Sequence, residues 1–422
     1  MGKQLRTEFS RAMSSIKKKT VASLFSGCGG MDLGFEGGFE VLRRSISDRS
    51  DIIEPNGPFV RLPNTSFKTI FSCDVVKSTK IAWENYFAEI RGADPEIFHL
   101  ESIVDVVKSL RSGNDDYGLR TPQGRSRVDV VTGGFPCNDF SVAGKRLGFD
   151  SNKSHRGNRT LLNDELDDPT AENRGMLYFW MKEFIAEVRP KVFYAENVKG
   201  LVSLGDAKRI IEHDFASIGN SSYFVLPVKV LKAVEFGVPQ TRERVIFIGV
   251  DKTKLQPAVR RYVNEHGSLP PELDLYPQET HGDYRVPIVT AGEALGDLPE
   301  PIDSADPSHQ SYSKAKYMGK MQGQAEVKNH KPGPTIRAEH HGNIEFRRLA
   351  KINGGTNNDG EERRLSVREC ARIQTFPDDF PFVIPGKLSA SDGYRAIGNA
   401  VPPLLAWRLA DRLDAVWQSL FS

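Results

Sequence analysis

Residues 20–30 read TVASLFSGCGG, a short apolar run followed at once by three glycines in five positions. An apolar run of this length bounded by glycine reads as a buried strand, because a helix needs roughly 10–12 residues. Glycine directly after a strand lets the chain turn sharply into a helix and lets backbone approach a ligand closely. Further apolar runs stand at 68–73 (KTIFSC), 128–132 (VDVVT), 191–195 (KVFYA), 223–231 and 244–250 (RVIFIGV). Helical patterns at 77–89, 103–110, 176–188 and 208–218 separate them. This alternation predicts an α/β fold: a Rossmann-like, mostly parallel sheet with helices on both faces.

The pattern breaks beyond residue 250. Residues 251–308 carry five bases and eleven acids, and residues 309–351 carry nine bases and three acids. Periodicity is weak there, which predicts a separate, loop-built module over 251–363 with a basic half. Helical text returns at 366–375 and 402–420. The larger domain is therefore expected over 20–250, completed by 364–422. Residues 1–19 form a basic tail; the first 20 positions hold six bases and one acid. Segments 43–63, 112–127 and 145–173 read as insertions, the last basic in its first half.

Lys and Arg number 57 against 55 Asp and Glu, so the near-zero total says nothing about local patches. Four cysteines (Cys28, Cys73, Cys137 and Cys370) lie far apart with no CxxC pair, and no metal site is expected. No apolar run approaches the roughly 18 residues of a membrane span. The first 20 residues lack a signal-like apolar core, so the cytoplasm is the expected compartment.

Four constellations carry chemistry. Phe25-Ser26-Gly27-Cys28-Gly29-Gly30 follows the first strand, and Asp74 ends the second, where a carboxylate can meet a ribose. Taken alone, the first is equally a tight structural turn and Asp74 an ordinary helix N-cap. Gly133-Gly134-Phe135-Pro136-Cys137-Asn138 follows the VDVVT strand, at the sheet's carboxyl end where α/β enzymes place their sites. A cysteine there is a candidate nucleophile, although a lone cysteine is more often buried and inert. Glu196, in Ala195-Glu196-Asn197-Val198, ends the next strand and could face the same pocket. Arg242 and Arg244 precede and open the last strand, two residues apart, and in extended chain would point the same way.

In this order the motifs resemble the DNA (cytosine-5) methyltransferase family of the bacterial restriction–modification type. FSGCGGMDLGF, GGFPCNDFS, RGMLYFW (174–180), ENV (196–198), EFGVPQTRERV (235–245), RLSVRECARIQTFP (364–377) and YRAIGNAVPP (394–403) carry the resemblance, which runs from about residue 21 to 413. It implies S-adenosylmethionine as cofactor, with S-adenosylhomocysteine as product. Phe25, Gly27, Gly29 and Gly30 resemble its loop and Asp74 its ribose carboxylate; Pro136, Leu177 and Asn399 match positions lining its pocket. Ser102 and Ile103 stand where the family often has Asp and an aliphatic residue beside the adenine. Cys137 matches the nucleophile, Glu196 the acid that binds the flipped cytosine, and Arg244, with Arg242 beside it, the supporting arginine.

The resemblance also implies double-stranded DNA as partner, a monomer, and a cognate restriction endonuclease acting separately. Residues 251–363 would be the target-recognition domain. Asn138 (where the family usually has Gln), Ser141, Arg146, Arg337, Arg347 and Arg348 are the expected DNA contacts. Other readings are an RNA-directed relative acting on tRNA, a non-catalytic binding protein of the same fold, and a cysteine hydrolase. The last would need a histidine base, and none sits near these motifs.

Overall fold

The structure is a computed structural model that describes residues 18–48, 52, 54–136, 176–338, 344–356 and 362–421. In chain order its main elements are β1 (Lys19–Leu24), α1 (Gly30–Glu36), β2 (Phe67–Cys73), α2 (Lys77–Trp83), β3 (Phe98–His99), α3 (Ile103–Arg111), β4 (Val130–Gly134) and α4 (Leu177–Val188). There follow β5 (Val192–Val198), α5 (Ala207–Ala216), β6 (Tyr223–Val225), β7 (Lys229–Lys232) and β8 (Glu243–Asp251). The sheet order is β7-β8-β5-β4-β1-β2-β3, with β6 also paired to β8. Strands β1 to β5 run parallel to their neighbours, whereas β8 is antiparallel to β5, β6 and β7.

Period-two alternation sends the strand side chains to two buried faces. Val21, Val130, Tyr194 and Ile246 face one layer, built from α1, α2 and the chain's last helices. Ala22, Val131, Phe193, Ala195 and Phe247 face the other, built from α3, α4 and α5. The expected α/β architecture with helices on both faces is thus the observed one.

Some boundaries differ from expectation. Residues 223–231 form two strands, not one, because Pro227 has no N–H to donate and breaks the ladder between β6 and β7. Strand β4 runs two residues further than the apolar run, through Gly133 and Gly134, which pair with Ala195 and Glu196. The insertion over 43–63 carries two strands of a small antiparallel sheet, Glu54–Asn56 and Phe59–Arg61, with Glu40–Leu42 just before it.

Past β8 the chain forms α6 (Pro257–His266), then short turns, then α7 (Val367–Ile373), α8 (Ala390–Asn399) and α9 (Pro403–Leu420). Residues 251–276, expected in the second module, pack on the sheet lobe. Val259, Val263, Leu275 and Tyr276 join the same core as Val21, and Tyr276 Oη donates to Ile246 O at 2.7 Å. Arg412 of α9 reaches Asp274 O at 2.6 Å. Beyond Tyr276 regular elements become sparse, and Val289, Leu295, Val327 and Ile336 join that core too. Helix α9 lies on α1 so closely that a Cβ on Gly34 would meet Ala406 Cβ at 2.4 Å.

Residues 277–363 have few regular elements and are tied by arginines. Arg364, 1% exposed, donates to the carbonyls of Ala315 (2.7 Å), Gly323 (2.8 Å) and Ile344, and its guanidinium stacks on Phe346. Buried loop carbonyls need partners, and here a side chain replaces a ladder.

Candidate active site

The loop after β1 bends through left-handed backbone at Phe25 (φ 53°), Gly27 (φ 56°) and Gly29 (φ 86°). Gly29 must lack a side chain, since a Cβ would lie 2.5 Å from Phe87 Cε2. The space over Gly27 is open, with nothing within 4 Å of where its Cβ would be. Asp74 fastens the loop: Oδ2 accepts from Gly27 N at 3.0 Å and Oδ1 from Val76 N at 2.9 Å. Burial raises the Asp74 carboxyl above its ordinary value, against the pull of those N–H groups.

Gly30 brings the end of α8 to the same place, because its Cβ would meet Val401 O at 2.4 Å. Asn399, exposed at the last position of α8, thereby stands beside loop 25–30. Ser102 and Ile103 are 3% and 2% exposed at the start of α3, next to the strand whose His99 O accepts from Asp74 N at 3.2 Å. Ser102 caps α3 through Val104 N at 3.3 Å, the same local task an Asp would perform. Pro136 is half-buried past β4, and Leu177 opens α4 at 4% exposure.

The second group lies at the carboxyl ends of β4 and β5. Glu196 and Arg244 are nearly buried, at 8% and 9% exposure, and Arg244 Nε lies 2.7 Å from Glu196 Oε1. Arg244 Nη1 also donates to Glu243 O at 2.8 Å, which fixes the guanidinium plane. Opposite Glu196, Gly134 leaves the room the carboxylate occupies: a Cβ there would lie 2.8 Å from Oε2. Asn197, fully buried, donates from Nδ2 to Phe135 O at 3.1 Å and so holds the segment that leads to Cys137. Gly134 and Asn197 are site residues that the motif reading did not single out by role. Their signal was adjacency to Cys137 and Glu196.

Arg242 is placed differently from Arg244. It is 1% exposed, Nη1 donates to Ile336 O at 2.9 Å and Nη2 to Gly398 O at 3.0 Å. It braces backbone from two distant segments, whereas Arg244 alone meets Glu196. The two were expected to point the same way in extended chain, and their hydrogen-bond partners differ.

The expected DNA contacts divide in two. Cys137, Asn138, Ser141 and Arg146 lie outside the described residues, as does the basic tail through residue 17. Arg337, Arg347 and Arg348 are described, and each has an acid partner. Arg337 Nη2 lies 3.2 Å from Glu345, Arg347 Nε 3.4 Å from Glu369, and Arg348 Nη1 2.6 Å from Glu300.

Comparison with known proteins identifies the family. The family described as C-5 cytosine-specific DNA methylase matches residues 63–164 and 167–415. The Type II methyltransferase M.BsuRI of Bacillus subtilis is 32% identical, over 93% of this chain and 78% of its own length. M.BspRI of Lysinibacillus sphaericus, also a Type II methyltransferase, is 31% identical over 93% and 81%. Among solved structures, the Entamoeba histolytica methyltransferase EhMeth shares the fold with a TM-score of 0.53 at 14% identity, over 94% of this chain and 98% of that one. The chain belongs to the C-5 cytosine-specific DNA methylase family and is an enzyme of that kind.

Proposed function

We propose that this enzyme methylates carbon 5 of a cytosine within a specific double-stranded DNA sequence, using S-adenosylmethionine. The observation that carries the reading is the Glu196–Arg244 pair facing Gly134, two strand ends that converge immediately before Pro136 and Cys137. The open space over Gly27, the Asp74 carboxylate and the nearby Asn399 fit a nucleoside-bearing cofactor. Bound there, S-adenosylmethionine would supply an electrophilic methyl group and leave as S-adenosylhomocysteine.

The chain's own groups do the rest. The target carbons are stacked inside a duplex, so the base must be turned out into the pocket. The Cys137 thiolate adds to carbon 6 and places an electron pair at carbon 5, which is otherwise a poor nucleophile. Glu196 hydrogen-bonds ring nitrogen 3 and the exocyclic amine, and so stabilises the charge that develops as sulfur adds. Arg244 keeps that carboxyl aimed. Once carbon 5 is methylated its proton leaves, the carbon–sulfur bond breaks and Cys137 departs as thiolate. Arg242 belongs to the support of this site rather than to its chemistry.

Residues 277–363 would read the DNA sequence, with Arg337, Arg347 and Arg348 exchanging acid partners for phosphate or guanine. The likeness to Type II methyltransferases supports a role in protecting host DNA from a separate restriction endonuclease; the enzyme would act as a monomer in the bacterial cytoplasm. The test is transfer of labelled methyl to duplex DNA by the purified chain and by Cys137→Ala. Label in cytosine that disappears in the variant is expected. Transfer to tRNA and not to DNA, or an active Cys137→Ala protein, would overturn the reading.

A further inference from the structure

Asp32, in the middle of α1, is 0% exposed, and no step of the proposed chemistry uses it. It accepts hydrogen bonds from Ser23 Oγ, from Ser72 Oγ at 3.0 Å and from Trp83 Nε1 at 2.9 Å. These donors sit on β1, β2 and α2, which flank loop 25–30 and Asp74. Burial pushes the Asp32 carboxyl up to about 6, although the three donors pull it down. Burying an acid is costly where a neutral side chain would fill the same space, which points to a task other than stability.

Two connections run from Asp32 to the loop. Ser26 Oγ carries one proton, shared between Ser23 O at 2.9 Å and Ser23 Oγ at 3.1 Å. A carboxylate only accepts, so Ser23 must donate to Asp32 and turn its lone pairs toward Ser26. The second connection is the indole of Trp83. A Cβ on Gly29 would lie 2.8 Å from Trp83 Cδ1, so the ring that Asp32 holds forms the floor under the left-handed turn.

We propose that Asp32 is a positioning residue for the cofactor loop, fixing the Ser26 hydroxyl through Ser23 and the Gly29 turn through Trp83. The proposal rests on the reading of residues 25–30 as that loop. Asp32→Asn keeps the shape; Trp83 Nε1 can only donate, so the amide oxygen stays toward Trp83 and the N–H₂ faces Ser23, which must then accept, and the chain of hydroxyls to Ser26 reverses. Ser23→Ala removes the relay and one of the acid's three donors, leaving Ser72 and Trp83 on Asp32.

The test uses the full chain and its Asp32→Asn, Ser23→Ala and double variants. Titration with S-adenosylhomocysteine gives affinity, steady-state assays on duplex DNA give cofactor KM and kcat, and thermal unfolding gives Tm. Each single variant is expected to weaken binding and raise KM by roughly ten-fold. The value of kcat at saturating cofactor stays near wild type, Asp32→Asn keeps or raises Tm, and the double variant is less than additive. Wild-type affinity in both single variants overturns the proposal. So does a parallel fall of affinity, kcat and Tm, which is what a purely structural acid would give. Should Asp32→Asn fail to fold, Ser23→Ala alone decides. A wild-type chain that binds no cofactor overturns the reading of the loop itself.

Discussion

The sheet lobe and residues 277–363 are stabilised by different means. In the lobe, strands β4, β5 and β8 are buried almost throughout; Glu196 meets Arg244 and Asn197 holds Phe135 O, while Thr132 Oγ1 and Tyr194 Oη stay buried without a hydrogen-bond partner among the described residues. In residues 277–364, arginines supplement a short two-stranded ribbon, Phe346–Arg348 with Arg363–Arg364, and apolar side chains that join the lobe's core. Arg364 bonds loop carbonyls, and Arg363 forms two bonds to Glu369, at 2.8 and 3.1 Å. A hydrophobic core tolerates polar groups mainly where function needs them. A polar-braced segment keeps its basic side chains occupied by acids until a stronger acceptor arrives.

The sharpest way to break this contrast is in the lobe. Glu196→Gln removes the carboxylate but keeps its shape, and kcat should fall by about 10²–10⁴-fold with the sheet intact. Steady-state assays with circular dichroism would check both halves of that statement. Next comes Arg364→Ala, which strands several buried carbonyls and should cost about 3 kcal/mol or more. Limited proteolysis should then cut within 277–363 while the sheet lobe survives; uniform unfolding of both would erase the distinction between them.

A smaller effect concerns the buried acid of α1. The Asp32 carboxyl rises from 3.8 to about 6 on folding, so between those values the native state binds more protons than the unfolded one. Its stability contribution is full below about 3.8 and is lost as pH rises through about 6. Asp32→Asn should flatten that part of a Tm-against-pH curve. The least effect on stability is expected from Arg348→Ala, whose pair with Glu300 is exposed and contributes about 0–1 kcal/mol. Its effect should appear instead in DNA affinity, with the salt slope reduced by about 1 if the side chain meets a phosphate.

Much of the lobe was legible because a parallel sheet writes itself as apolar runs: 68–73, 191–195 and 244–250 fall on β2, β5 and β8. Glycine misled at one point. Gly133 and Gly134 read as following the strand, yet they belong to it, with Glu196 filling the space opposite Gly134. The role of Asp32 was not legible; its partners Ser72 and Trp83 lie 40 and 51 residues away, beyond any local pattern. Arg242 looked equivalent to Arg244 in the text, and the partners that separate them, Ile336 and Gly398, are 94 and 156 residues distant. The arginine-tied segment left no periodic trace, since side chain to carbonyl bonds have no repeat.

The central claim is that Cys137 and Glu196 serve cytosine methylation in duplex DNA. Bisulfite sequencing of genomic DNA from cells expressing the wild-type chain or Cys137→Ala tests it most directly. The account predicts cytosines protected in one short sequence context by the wild type, and none by the variant. No protected context with the wild type, or the same context with Cys137→Ala, would contradict it.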